Sequence, residues 1–267
     1  EEVIVRHEDL VNQMADFELP TPSIIDILCD VLAERAVRSG VEVVLTGEGS
    51  DEMFLGYDHY FAAIGQLAPR YRHLAGRFPI RGTHPGAQHP RALVDLFLGV
   101  GVDLRLEADR HQLCGEALAD APSVRSIVEG YLEELAVLRP HAELDKQILY
   151  IELAHKMPEV FIRRAERPCM GRGVEVRLPF LDLRVVNAHF TMPMAVRLDG
   201  EGLKSLLRKC VADLLPPEMR DRPKMPFGLP AQRALPYHGS TQAFPRPAFA
   251  KLFNVHATRL EAVLAEG

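Results

Sequence analysis

The chain has 267 residues, 47% of them hydrophobic and 25% charged, with a formal net charge of −6. This is the composition of an ordinary soluble globular protein, long enough for one large domain or two small ones. It excludes a basic footprint for nucleic acid, and no apolar run approaches the ~20 residues that span a bilayer. Cys29, Cys114, Cys169 and Cys210 form no C-x-x-C pair, so neither a zinc site nor a redox motif is indicated. A reducing cytoplasm is the expected compartment. No signal peptide is visible. The chain begins Glu-Glu without Met, which leaves a fragment, a processed product and an incomplete sequence all open.

Residues 1–22 read as an extended entry, with Val3-Ile4-Val5 as a short strand and Pro20 and Pro22 breaking any helix. From Ser23, a plausible cap, apolar residues recur at helical spacing up to Gly40, a plausible stop. Val41 to Thr46 reads as a buried strand that empties into the acidic loop Gly47-Glu48-Gly49. Ser50-Asp51-Glu52 suits the first turn of a following helix, where Ser and Asp cap free N–H groups. In an open parallel sheet, ligands bind at the carboxyl ends of the strands. The loop is therefore a candidate polar site before any relative is considered.

Phe54, Tyr57, Phe61 and Ile64 make an aromatic helix face, read as core packing. Residues 69–91, rich in Pro, Gly, His and Arg, read as a surface loop beside the site. Residues 92–138 are a helical region without a chemical signature. Residues 142–166 return to strong helical patterning, with Pro158 expected to restart a helix at its first turn. Between Arg163 and Asp182 five arginines interleave with acids and apolar residues. Gly171, Gly173 and Pro179 are expected to leave those charges on irregular backbone, which favours a site. Leu203 to Leu215 reads as one apolar helical face with Lys204 on its rim. Such a lysine either snorkels to water or is aimed into a cleft. A structured loop at Arg222 to Phe227 and a Pro-interrupted, then helical, tail from Leu229 complete the chain. The eleven histidines show no metal-ligand pairing. There is no G-x-x-x-x-G-K-S/T loop, no G-x-G-x-x-G and no internal repeat.

Three stretches together carry a resemblance. Gly47-Glu48-Gly49-Ser50-Asp51-Glu52-Met53-Phe54-Leu55-Gly56-Tyr57 resembles the G-E-G-x-D-E-x-F-x-G-Y motif of glutamine-dependent asparagine synthetases. Met170 to Asp182 resembles their M-x-x-x-x-E-x-R-x-P-F-L-D motif. Lys204 to Arg208, followed by Leu215-Pro216 and Arg222-Pro223-Lys224, resembles their K-x-x-L-R…L-P…R-x-K region. The match runs from about residue 20 onward.

The resemblance implies the C-terminal synthetase domain of that family. Its fold is α/β, a parallel-sheet core of the ATP-pyrophosphatase type with a largely helical lobe. Here that means about 1–65 for the core portion and about 66–267 for the lobe. It implies an ATP- and Mg²⁺-dependent ligase that adenylates a carboxylate, the side chain of aspartate, which ammonia from glutamine then attacks. Thr46 and Gly47 match nucleotide-binding positions. Asp51 matches a magnesium ligand, Glu48 a glutamate needed around the aspartyl-adenylate, and Lys204 a lysine that neutralises the α-phosphate. Glu175 matches a position that, in lactam-forming relatives, belongs to a catalytic pair. Arg167 and Arg177 read as structural ion pairs.

The sequence also departs from the family pattern. The S-G-G-x-D-S loop that cradles pyrophosphate occurs nowhere in the chain, nor does the N-terminal nucleophilic cysteine of a glutaminase domain. Glu166 stands where Asp is usual and Leu55 where Gly is usual. Three readings follow: part of an asparagine-forming amidotransferase whose missing loop and glutaminase domain come from the same polypeptide or a partner chain; the same adenylation chemistry on another acid or amine, as in lactam synthetases and lasso-peptide cyclases; or a non-catalytic subunit with a degenerate ATP site. A homodimer is one assembly the resemblance allows. The first reading expects no ATP–pyrophosphate exchange from this chain alone.

Overall fold

The computed structural model describes residues 24–74, 93–94, 122–198 and 202–222. The expected strand at Val3-Ile4-Val5, most of the loop at 69–91, the loop beyond Arg222 and the C-terminal tail lie outside them. The described residues divide into two compact units, one of 24–46 with 162–177, the other of 47–161 with 178–222. The result is a helix-rich α/β protein with a small parallel sheet. No helix among the described residues is long and apolar enough to cross a membrane.

In the first unit, helix α1 (Ile24–Arg38) ends as Gly40 predicts. Gly40 takes φ 69, its N–H donates to the Val37 carbonyl at 2.9 Å, and the Val41 N–H reaches back to Ala36 at 2.9 Å. These two bonds satisfy carbonyls the helix leaves open. Strand β1 (Val43–Leu45) pairs in parallel with β2 (Glu175–Arg177), Val44 opposite Val176. Helix α6 (Arg163–Gly171) packs on α1. Arg164 reaches Asp26 at 2.8 Å, and Arg172 forks onto both oxygens of Asp30 at 2.8 and 2.7 Å. Ala33, Cys169 and Val174 make the core, with Val44 and Val176 turned toward it.

Two expectations change here. The strand is not buried on both faces: Val43 is 39% and Leu45 71% exposed. Successive side chains point to opposite faces, and among the described residues the face bearing Val44 and Val176 is the one packed on the core. The arginines, too, are mostly not on irregular backbone. Arg163, Arg164 and Arg167 lie within α6 and Arg177 lies on β2, so only Arg172 sits on the turn between them. Gly171 is the last residue of α6, and Gly173, with φ 76, turns the chain after it.

The second unit opens with α2 (Ser50–Met53) and α3 (Asp58–Leu67), followed by a 3₁₀ turn at Pro69–Leu74. Then come α4 (Val124–Leu138), α5 (Leu144–Ile151) and a π-helical segment, Glu152–Ile162. A 3₁₀ turn at Pro179–Leu181 precedes α7 (Leu183–Thr191), α8 (Met194–Arg197), α9 (Ser205–Cys210) and α10 (Pro217–Arg220). Leu55, Tyr60, Phe61, Ile64, Ile148 and Ile151 form the centre of one core, as the aromatic face predicts for Phe61 and Ile64.

Pro158 starts no new helix; it lies inside the π segment. The expected apolar helix from Leu203 to Leu215 is regular only over α9, and Leu214 is 77% exposed. Ser50, Asp51 and Glu52 form the first turn of α2 as expected, but the cap position is taken by Gly49, with φ 86 and no side-chain cap.

Candidate active site

Gly49 must be glycine on two counts. Its φ of 86 is left-handed, and a Cβ there would stand 2.5 Å from Leu181 Cδ2 and 3.6 Å from Phe180 Cβ. The acidic loop is thus seated on the Pro-Phe-Leu-Asp turn of the second motif. That seating releases the Ser50 side chain from capping and leaves it free to point elsewhere.

It points at Lys204. The ammonium of Lys204 donates to Ser50 Oγ at 2.9 Å and lies 3.2 Å from Asp51 Oδ2. Lys204 precedes α9 with a left-handed backbone, φ 55 and ψ 29. A non-glycine residue in that region is uncommon and marks strain held by its surroundings. Of the two readings of this lysine, the structure shows the one aimed inward. Both charged side chains are about a quarter exposed, open enough to exchange partners with a ligand.

Beneath them lies Gly56. A Cβ on it would fall 1.8 Å from Asp51 Oδ1 and 2.6 Å from Lys204 Cε. Its N–H donates to the Asp51 carbonyl at 2.7 Å. The residue before it, Leu55, has φ 53 and is 1% exposed. Leu55 is thus a left-handed leucine, anchored by its burial in the core.

The other predicted residues are placed as follows. Glu48 is half-buried in the loop of the second unit, and Gly47 accepts the Ser50 N–H at 3.2 Å. Thr46 belongs to the first unit, where its N–H extends the β-ladder onto the Arg177 carbonyl at 3.0 Å. Glu175 is in the same unit, on β2, and accepts from Arg177 Nε at 2.7 Å. That hydrogen bond and charge hold the Glu175 carboxyl below its usual range. Arg177 is the structural ion-pair partner expected of it. Within the second unit the fold brings Asp51 and Lys204 together, with Ser50 as a third member.

Three features have no signal in the sequence. The Ser50 hydroxyl faces Lys204. Glu52, in the first turn of α2, is 3% exposed. Its carboxyl is pushed up to about 7, first by burial and then by the charge of buried Glu152, against the Tyr57 hydroxyl that donates to it at 2.8 Å. Arg197, almost fully buried, has no motif around it that would have marked it.

Among the described residues no group of three or more His, Cys, Asp or Glu is arranged to hold a metal. One carboxylate, one hydroxyl and one ammonium form the donor set. An ammonium beside the carboxylate is wrong for an ion held by protein alone. A single carboxylate is a donor type that Mg²⁺ takes when phosphate oxygens complete its shell.

A family model described as asparagine synthase matches residues 1–260. Among curated proteins, asparagine synthetase [glutamine-hydrolyzing] 1 of Bacillus subtilis (strain 168) is 24% identical over 250 residues, covering 87% of this chain and 38% of the relative. Asparagine synthetase [glutamine-hydrolyzing] 3 of the same organism is 25% identical over 231 residues, 84% of this chain and 33% of the relative. The asparagine synthetase [glutamine-hydrolyzing] of Rattus norvegicus is 39% identical over 69 residues, 25% of this chain and 12% of the relative. The chain thus spans less than two fifths of the length of these relatives. No solved structure matches it.

Proposed function

We infer the chemistry of the site from one premise: the chain belongs to the asparagine synthase family. The proposed activity is that of the synthetase part of an ATP-dependent ligase. A carboxylate, the side chain of aspartate in this reading, attacks the α-phosphorus of ATP and expels pyrophosphate. Ammonia derived from glutamine then attacks the acyl carbon and AMP leaves, giving asparagine. Supporting it above all is the meeting of Lys204 with Ser50 and Asp51, 2.9 and 3.2 Å from the ammonium.

Each side chain has a role its chemistry suits. Without nucleotide, Lys204 and Asp51 neutralise one another. With ATP, Lys204 turns to the α-phosphate, where charge grows as the P–O bond breaks, the place where a preorganised cation acts most. Asp51 would then hold Mg²⁺, and the ion would supply charge neutralisation to the pyrophosphate. Glu48 holds the amine of the substrate or takes a proton from the attacking nitrogen. Thr46 and Gly47 offer backbone to the nucleotide, and Glu175 is assigned to the catalytic set through its motif. The phosphate-cradling S-G-G-x-D-S segment and the glutaminase come, in this reading, from the remainder of the polypeptide or from a partner chain.

The test is aspartate-dependent ATP–pyrophosphate exchange by the full chain, with and without a polypeptide carrying S-G-G-x-D-S. Exchange that needs the added segment and aspartate supports the reading. Exchange with another carboxylic acid instead moves the substrate assignment. No exchange under any combination overturns it.

A further inference from the structure

Helix α2, which carries Ser50 and Asp51, has four residues and no side-chain cap at its start. A helix that short does not hold itself. Its far end is gripped by Arg197, at the end of α8. The guanidinium donates through Nη2 to the Met53 carbonyl at 2.9 Å and the Glu52 carbonyl at 3.4 Å. Through Nη1 it donates to Asp145 Oδ2 at 2.6 Å and to the Asp145 carbonyl at 3.3 Å. Lys146 holds the same carboxylate at 2.7 Å. None of these three side chains is more than 2% exposed.

A cation on the last carbonyls of a helix meets their unsatisfied acceptors and the negative end of the dipole. Stability alone is a poor reason for the arrangement, since a buried ion pair is often matched or bettered by apolar residues of similar volume. What a forked guanidinium adds is geometry: it ties the carbonyls of α2 to a carboxylate on α5 in one plane. We propose that Arg197 is a positioning residue for the adenylation site: through the carbonyls of Glu52 and Met53 it holds α2 where Ser50 and Asp51 meet Lys204. The proposal rests on reading Lys204 and Asp51 as that site, but its first measurement needs no activity.

That measurement is the acylation rate of individual lysines in the intact folded chain with acetic anhydride, read by peptide mass spectrometry. Arg197→Lys keeps a charge for Asp145 but cannot fork onto α2. Lys204 is expected to react several-fold faster in this variant, because it loses Ser50 and Asp51, while Lys209 keeps its wild-type rate. An unchanged Lys204 rate overturns the proposal. So does an equal rise at Lys209, which would mean general loosening. Should Arg197→Lys not fold, the triple variant Asp145→Leu, Lys146→Met, Arg197→Met removes every buried charge of the cluster, with the same expectation. In the exchange assay with the S-G-G-x-D-S segment, kcat is expected to fall on the order of 10²-fold, as for small misplacements of a catalytic group, with KM for ATP unchanged. An unaltered kcat overturns the proposal, whereas a wild-type chain with no exchange overturns the functional reading and leaves the labelling result standing.

Discussion

Lys204 closes on Asp51 at 3.2 Å across a space that exists because Gly56 has no side chain. The pair lies over the glycine backbone, and a single methyl group there would overlap both partners. Charge and steric emptiness are therefore one feature of this site.

Removing the lysine tests the charge. Lys204→Met is expected to lower exchange activity by roughly 10²–10³-fold, the scale seen when a preorganised electrostatic donor is lost. Stability should move by less than about 1 kcal/mol, because a partly exposed ion pair contributes little. Thermal unfolding alongside the assay separates the two effects, and a parallel collapse of stability would show the lysine to be a structural strut.

The emptiness is tested by Gly56→Ala beside Gly47→Ala. At Gly56 the new methyl would sit 1.8 Å from Asp51 Oδ1, whereas at Gly47 nothing lies within 4 Å. Denaturant unfolding should find Gly56→Ala destabilised by about 1–3 kcal/mol, as for overpacking, and Gly47→Ala close to wild type. Equal effects at the two glycines would refute the contact.

Leu55 offers an inversion of the usual ranking. Truncation to alanine removes a fully buried leucine and is expected to cost about 2–5 kcal/mol. Glycine is ordinarily worse than alanine by roughly 0.5–1 kcal/mol. At φ 53, however, a Cβ carries about 1–2 kcal/mol of left-handed strain that glycine lacks. Leu55→Gly should therefore be no less stable than Leu55→Ala. A clear deficit for glycine would mean the backbone is unstrained there.

Glu52 predicts a pH dependence. Its carboxyl is raised from 4.5 to about 7, so between those values the folded chain holds a proton that the unfolded chain has released. The contribution is fully present below about 4.5 and is lost as pH rises through about 7. Glu52→Gln, which cannot ionise, should lack this loss. The wild-type minus variant difference in unfolding free energy should change by about 2–3 kcal/mol between the two ends of that window, following the size of the shift. A flat difference measured in chelator would refute the burial.

Much of this was legible in the chain before folding was considered. The helix ending at Gly40 is local chemistry, set by helical periodicity and a left-handed stop. The acidic loop after a short strand is local too, since carboxylates flanked by glycines at the end of an apolar run are unusual, whereas the roles of Glu48, Asp51 and Lys204 come from the motifs they match. Other features depend on distant segments and were not legible. Ser50 reads as a cap until Leu181 and Phe180 pack against Gly49 and leave the cap to glycine. Pro158 reads as a helix start, yet the chain carries it inside a π segment.

The sequence by itself determined the family and the inventory of charged groups, because residue types and order suffice for both. Tertiary structure alone decided which charges meet. It set Lys204 on Ser50 and Asp51, and buried Arg197 against the carbonyls of Glu52 and Met53. Nothing in the neighbourhood of Arg197 in sequence marks it, since its role is made by backbone that lies close only after the chain has folded.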